Sequence, residues 1–162
     1  MSNASHESAS VVRTHAPLKP RKLHDVPFVE LYGQRLHGVV SSGSDIDRVY
    51  VAFFEAGSMD FSCSTNNNRP CGGLRGSPCK HLTSLLSEGA LQYGVERVAR
   101  FLQIPGDLPS GTTHRDLIRY IRGRQVKGEA GVGFSRFLNY LRFIELKGTS
   151  VPLPEMTWFT SG

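Results

Sequence analysis

The chain has 162 residues, 39% of them apolar and 20% charged, with three cysteines and a formal net charge of +5. This suits one globular domain with tails, and it excludes a membrane span, since no run of about eighteen apolar residues occurs. An isoelectric point near 9.4 permits contact with nucleic acid or another acidic surface without demanding it.

Residues 1–22 are polar and carry the basic cluster Lys19-Pro20-Arg21-Lys22. They hold too few large apolar residues to offset ordering entropy, so a disordered arm is expected. Its charges read first as solvated and second as a phosphate-gripping arm. No apolar stretch of a secretory signal stands in Met1–Ser10. Together with an odd cysteine count, that points to a reducing cytoplasm rather than a disulfide framework.

From Val26 the pattern turns to strands. Phe28, Val29, Leu31 and Tyr32, then Leu36, Val39 and Val40, are aliphatic, aromatic or β-branched, and Gly33 and Gly38 punctuate them. Ser41–Asp45 is a turn signal, and Asp45-x-Asp47 within this region reads as local hydrogen bonding. Val49, Val51 and Phe53 alternate as in a half-buried strand, and Met59, Phe61 and Cys63 alternate again after a reversal at Glu55–Ser58. The second strand of this hairpin should deliver Cys63 at its end.

Ser77-Pro78 reads as a helix start, with Leu82, Leu85, Leu86 and Ala90 at helical spacing and Tyr93-Gly94 as the stop. A short helix follows through Val95, Val98, Ala99 and Leu102 to Pro105-Gly106. Arg115–Gln125 and Phe134–Leu146 read as two more, and Gly131-Val132-Gly133 as a helix cap. Val151–Phe159 is an apolar tail that should dock or bind a partner. The expected organisation is an α+β core over 26–104 and a helical C-terminal extension over 112–162.

The chemistry concentrates in one segment. Cys63, Cys71 and Cys79 are all the cysteines of the chain, and His81 follows two positions after the last. Three thiolates and an imidazole suit a closed tetrahedral Zn2+ site. The residues between them are polar, Gly or Pro apart from Leu74, so the segment lacks apolar mass to hold itself. Positions i and i+2 of a continuous helix point apart, so Cys79 and His81 share an ion only if Cys79 stands at or before the first turn. The plain alternative is that buried cysteines are common without a metal. A further alternative is a thiol-based redox switch or cysteine enzyme, with Cys79 activated by the helix start and His81.

The segment from Val49 to about Tyr93 resembles the SWIM-type zinc finger. That family places a Cys-x-Cys half on a β-hairpin, then a variable loop, then Cys-x-His entering a helix. Cys79-Lys80-His81-Leu82 is similar to the second half, and Phe61-Ser62-Cys63-Ser64 to the first. Thr65 stands where the family has its second cysteine, and Cys71 would be its displaced replacement. The resemblance implies a zinc-stabilised module that binds DNA or protein as part of a larger machine. The chain has no phosphate-binding Gly-Lys-Ser/Thr loop, so an accessory, non-enzymatic role without a small-molecule substrate is expected.

Basic residues complete the reading. Arg115, Arg119 and Arg122 would form one stripe of the expected helix, opposite Leu117 and Ile121. Such a stripe suits a phosphate backbone, but it is also the ordinary solvated face of an amphipathic helix. Arg69, Arg75 and Lys80 surround the cysteines and would either extend the basic patch or offset thiolate charge. His37 and His114 have no cysteine near them in sequence and read as ordinary residues.

Overall fold

The computed structural model describes residues 26–42 and 48–142. The expected arm 1–22, the Asp45-x-Asp47 turn and the apolar tail from Val151 lie outside the described residues.

Four strands form one antiparallel meander in chain order: β1 (Phe28–Tyr32), β2 (Arg35–Ser41), β3 (Val49–Glu55) and β4 (Phe61–Thr65). The register pairs Glu30 with His37, Leu36 with Phe54, and Ala52 with Cys63. A sheet with one wet face shows alternating burial. Here Leu36 to Ser41 of β2 are buried without a break, so both faces must be covered.

Helix α1 (Lys80–Tyr93) covers one face, with α2 (Val95–Leu102) against it. Leu82, Leu85 and Leu86 of α1 are fully buried with Val29, Leu36, Ala52, Phe54, Phe61 and Cys63 of the sheet. Each such leucine contributes about 1.5–3 kcal/mol by leaving water. Val98 and Leu102 of α2 join the same core, and Gly94, at φ 93°, separates the two helices as the sequence suggests. Helix α3 (Gly131–Leu141) covers the opposite face, where Phe137 and Ala130 pack on Phe28, Val39 and Val51. The α+β architecture expected from the sequence is therefore present.

Three helix assignments need correction. Helix α3 begins at Gly131 with Ala130 as its N-cap, so Gly131-Val132-Gly133 is its first turn rather than a cap before Phe134. Helix α1 begins at Lys80, with Cys79 as its extended N-cap residue (φ −77°, ψ 174°), rather than at Ser77-Pro78. The span Arg115–Gln125 is not an amphipathic helix. Only Leu117–Tyr120 forms a single 3-10 turn, preceded by Thr113, whose N–H and hydroxyl both donate to the Asp116 carboxylate. Beyond the turn the backbone is captured by β4. The Phe61 N–H donates to Arg124 O and the Val126 N–H donates to Phe61 O, in a parallel bridge. At Gly123 a built Cβ would overlap the Met59 carbonyl, so this close approach needs glycine. Tertiary pairing here overrides a helical pattern that rested on propensity and spacing.

Candidate metal centre

The backbone brings four ligand groups to one point from three directions. Cys63 lies in β4 on the face that meets α1. After a turn at 65–69, the chain folds back on that strand. The Cys71 N–H donates to Cys63 O at 3.0 Å, and the Thr65 N–H donates to Arg69 O at 2.8 Å. This return brings Cys71 back beside Cys63. The extended N-cap conformation of Cys79 resolves the i, i+2 difficulty, because its side chain is set before the helical turn that carries His81.

His81 Nδ1 lies 3.4 Å from Cys71 Sγ, 3.8 Å from Cys63 Sγ and 3.9 Å from Cys79 Sγ. No two of the four ligand atoms are more than 4.8 Å apart. Sulfur at about 2.3 Å and nitrogen at about 2.0–2.1 Å from a tetrahedral zinc would place each S···N pair about 3.6 Å apart. The residues present therefore fit a zinc-sized ion with Nδ1 as the imidazole ligand. Bound there, the ion would cross-link strand, loop and helix.

The surroundings fix these groups. The His81 ring stacks on Tyr50 of β3, with centroids 3.9 Å apart and planes 18° from parallel. The Gly73 N–H points to Cys71 Sγ at 3.4 Å, and a Cβ at Gly73 would press on Cys79 Cβ at 3.2 Å. All three cysteines are buried residues, with Cys63 1%, Cys71 6% and Cys79 5% exposed.

Charge is shared unevenly among the sulfurs. The Cys63 thiol, hydrogen-bonded to Cys79, holds Cys79 down at about 4 against the opposing effect of burial, helped by His81 and the Leu82 N–H of the first helical turn. Cys63 is pushed up by that hydrogen bond and by burial, and Cys71 is raised chiefly by burial. A divalent cation at the centre would stabilise all three thiolates at once.

The other residues singled out from the sequence fall into two groups. Arg69, Arg75 and Lys80 are exposed around the centre. Among the described residues no carboxylate pairs with any of them. Arg115, Arg119 and Arg122 are exposed but share no helical stripe; Arg119 faces Asp116 at 3.5 Å, and Arg122 donates to Arg119 O at 2.7 Å.

Sequence reasoning missed three features. The first is Tyr50, which a period-two strand puts on the face opposite Val49 and Val51, the face that Ala52 and Cys63 share. The second is a pair of clasps on the metal loop. The Ala130 N–H donates to Asn68 Oδ1 at 2.8 Å, and the Gly76 N–H donates to Gln125 Oε1 at 3.2 Å. Nothing in the spacing of Asn68 or Gln125 signals a contact across more than forty-five residues. The third lies on the far side of the sheet. Arg136 of α3 grips buried Glu30 through two hydrogen bonds of 2.6 and 2.5 Å, and His37 Nε2 lies 3.1 Å from the same carboxylate. His37 thus has a specific buried partner.

Among the described residues no helix is long and apolar enough to cross a membrane. Comparison with protein families, with curated proteins and with solved structures gives no match.

Proposed function

We propose that the chain is a non-enzymatic, zinc-stabilised binding module that meets nucleic acid through the surface around its metal centre, as an accessory subunit of a larger complex in the cytoplasm. The convergence of Cys63, Cys71, Cys79 and His81 carries this reading. Four protein ligands fill a tetrahedron, and a zinc ion so enclosed has no open position for substrate, which is the mark of a structural site. Arg69, Arg75 and Lys80 then stand on the rim of a rigid knuckle without carboxylate partners among the described residues, a disposition suited to phosphates. The SWIM-like reading is supported by a hairpin that supplies Cys63 and by Cys79-Lys80-His81 leading into α1. Thr65, at the position of the family's second cysteine, uses its hydroxyl inside the loop, on Asn67 and Arg69. Cys71 occupies the ligand cluster in its stead.

Elemental analysis of protein purified without chelator should find one zinc per chain. Nucleic-acid affinity should fall steeply with salt, and replacing Arg69, Arg75 or Lys80 by Ala should each reduce the salt slope by about one. Metal-free protein, or binding confined to a protein partner and insensitive to salt, would overturn the proposal.

A further inference from the structure

The surface over the metal centre holds two adjoining open depressions. Arg69 and the exposed amides of Asn66 and Asn67 line the first, and Arg75 and Lys80 line the second. Tyr50 and Gly72 are the residues common to both, so they form the saddle between them. One face of the Tyr50 ring rests on His81, which rests in turn on the metal centre, so the ring is held in place. A built Cβ at Gly72 meets nothing within 4 Å and its φ is not positive, so neither packing nor backbone demands glycine there. Its effect is to keep the saddle low beside the aromatic ring, where a partner's backbone or ring could approach closely. The linings of both depressions contain no Asp or Glu among the described residues.

We propose that this saddle is a binding site for single-stranded nucleic acid, with a base stacked at Tyr50 and the flanking phosphates held by Arg69 on one side and Arg75 and Lys80 on the other. The proposal rests on the nucleic-acid reading above and narrows it to one form of the ligand. Cations distributed about a fixed aromatic ring, with amides at the edge, are the combination that serves splayed bases. A duplex keeps its bases stacked within itself and would offer this surface only phosphates. Reading a duplex groove calls for a protruding helix or ribbon. Here the start of α1 is occupied by the metal centre, and its Leu82, Leu85 and Leu86 face the sheet.

The test compares a fluorescent oligothymidylate of about 15 nucleotides with a mixed-sequence duplex of equal length, at about 50 mM salt, on the full zinc-loaded chain. Three variants are used: Tyr50→Leu, Tyr50→Phe and Gly72→Leu, each assayed for bound zinc. The single strand should bind more tightly than the duplex. Tyr50→Leu should weaken it roughly 5- to 150-fold, the range for loss of one stacked base, while Tyr50→Phe retains it. Gly72→Leu, which alters neither charge nor a metal ligand, should also abolish the single-strand preference. It decides the matter if Tyr50→Leu loses zinc through its contact with His81. Equal binding of single strand and duplex, unchanged in Gly72→Leu, would overturn this inference and leave the broader reading standing. Failure of both probes to bind would remove the broader reading as well.

Discussion

Glu30 offers the sharpest energetic test of the fold that carries the site. Its side chain is 6% exposed, lies across from His37 in the register, and receives both hydrogen bonds from Arg136 of α3. Burial alone would raise its pKa, but the Arg136 and His37 hydrogen bonds outweigh that and hold the carboxyl at about 2, against an ordinary value of 4.5. A folded pKa below the unfolded one stabilises the native state wherever the unfolded carboxyl is ionised. The contribution is therefore complete above about pH 5 and is lost as pH falls from 4.5 towards 2. A carboxyl held at about 2 instead of 4.5 corresponds to about 3 kcal/mol, more than half of which is gone at pH 3. Acid also releases zinc from thiolates, so wild type alone would mix two effects. The informative quantity is the stability gap between wild type and Glu30→Gln, from urea midpoints at several pH values, since metal loss is common to both. That gap should be about 3 kcal/mol at pH 7, should narrow below about pH 4.5 and should close only towards pH 2. A gap that stays constant between pH 7 and pH 3 would refute the ion-paired account of this cluster.

Three further outcomes follow from the geometry. Cys71→Ser should lower zinc affinity by orders of magnitude, because a hydroxyl does not ionise to replace a thiolate, and competition with a chelator reads this directly. In the zinc-loaded wild type all three thiols should resist alkylation and become reactive together on chelation; a single fast-reacting cysteine would favour a thiol enzyme instead. Gly123→Ala gives opposite signs for the two backbone paths considered for residues 115–125. In a helix it would stabilise by about 1 kcal/mol. Against the Met59 carbonyl it should destabilise by about 2 kcal/mol or more, as thermal or urea unfolding would show.

What the sequence made legible was local. Period-two runs marked β3 and β4, β-branched and aromatic stretches punctuated by glycine marked β1 and β2, and Tyr93-Gly94 ends α1 because glycine takes a positive φ that other residues resist. The metal group was legible because three cysteines in a polar segment have no packing reason to be there. The failures lie where distant residues decide. Arg115–Gln125 has an adequate helical pattern, but Phe61 offers backbone hydrogen bonds that a helix would forgo, and Gly123 permits the approach. The start of α1 moved from Ser77-Pro78 to Lys80 because Cys79 stays extended to share a centre with His81. Glu30 gave no signal, since a charged residue on a strand reads as solvent-facing until an arginine 106 positions away covers it.

The clasps on the metal loop bear on how the candidate surface keeps its shape. Between Thr65 and Cys79 the partly buried Leu74 is the one large aliphatic side chain, too little apolar area to order some fifteen residues against an entropy of about 1–2 kcal/mol each. The metal would fix two of them, Cys71 and Cys79. Asn68, in the left-handed region at φ 63°, accepts from the Ala130 N–H, and Gln125 accepts from Gly76, so both halves of the loop are also tied to the strip running from β4 to α3. That strip is seated by Phe61, and α3 by Phe137 and the Glu30–Arg136 pair. The surface at Tyr50 and Gly72 thus has two supports, the ligand cluster beneath it and the packing of α3 on the far face of the sheet. Asn68→Ala, which touches neither charge nor ligand, would loosen the second support while leaving the first intact.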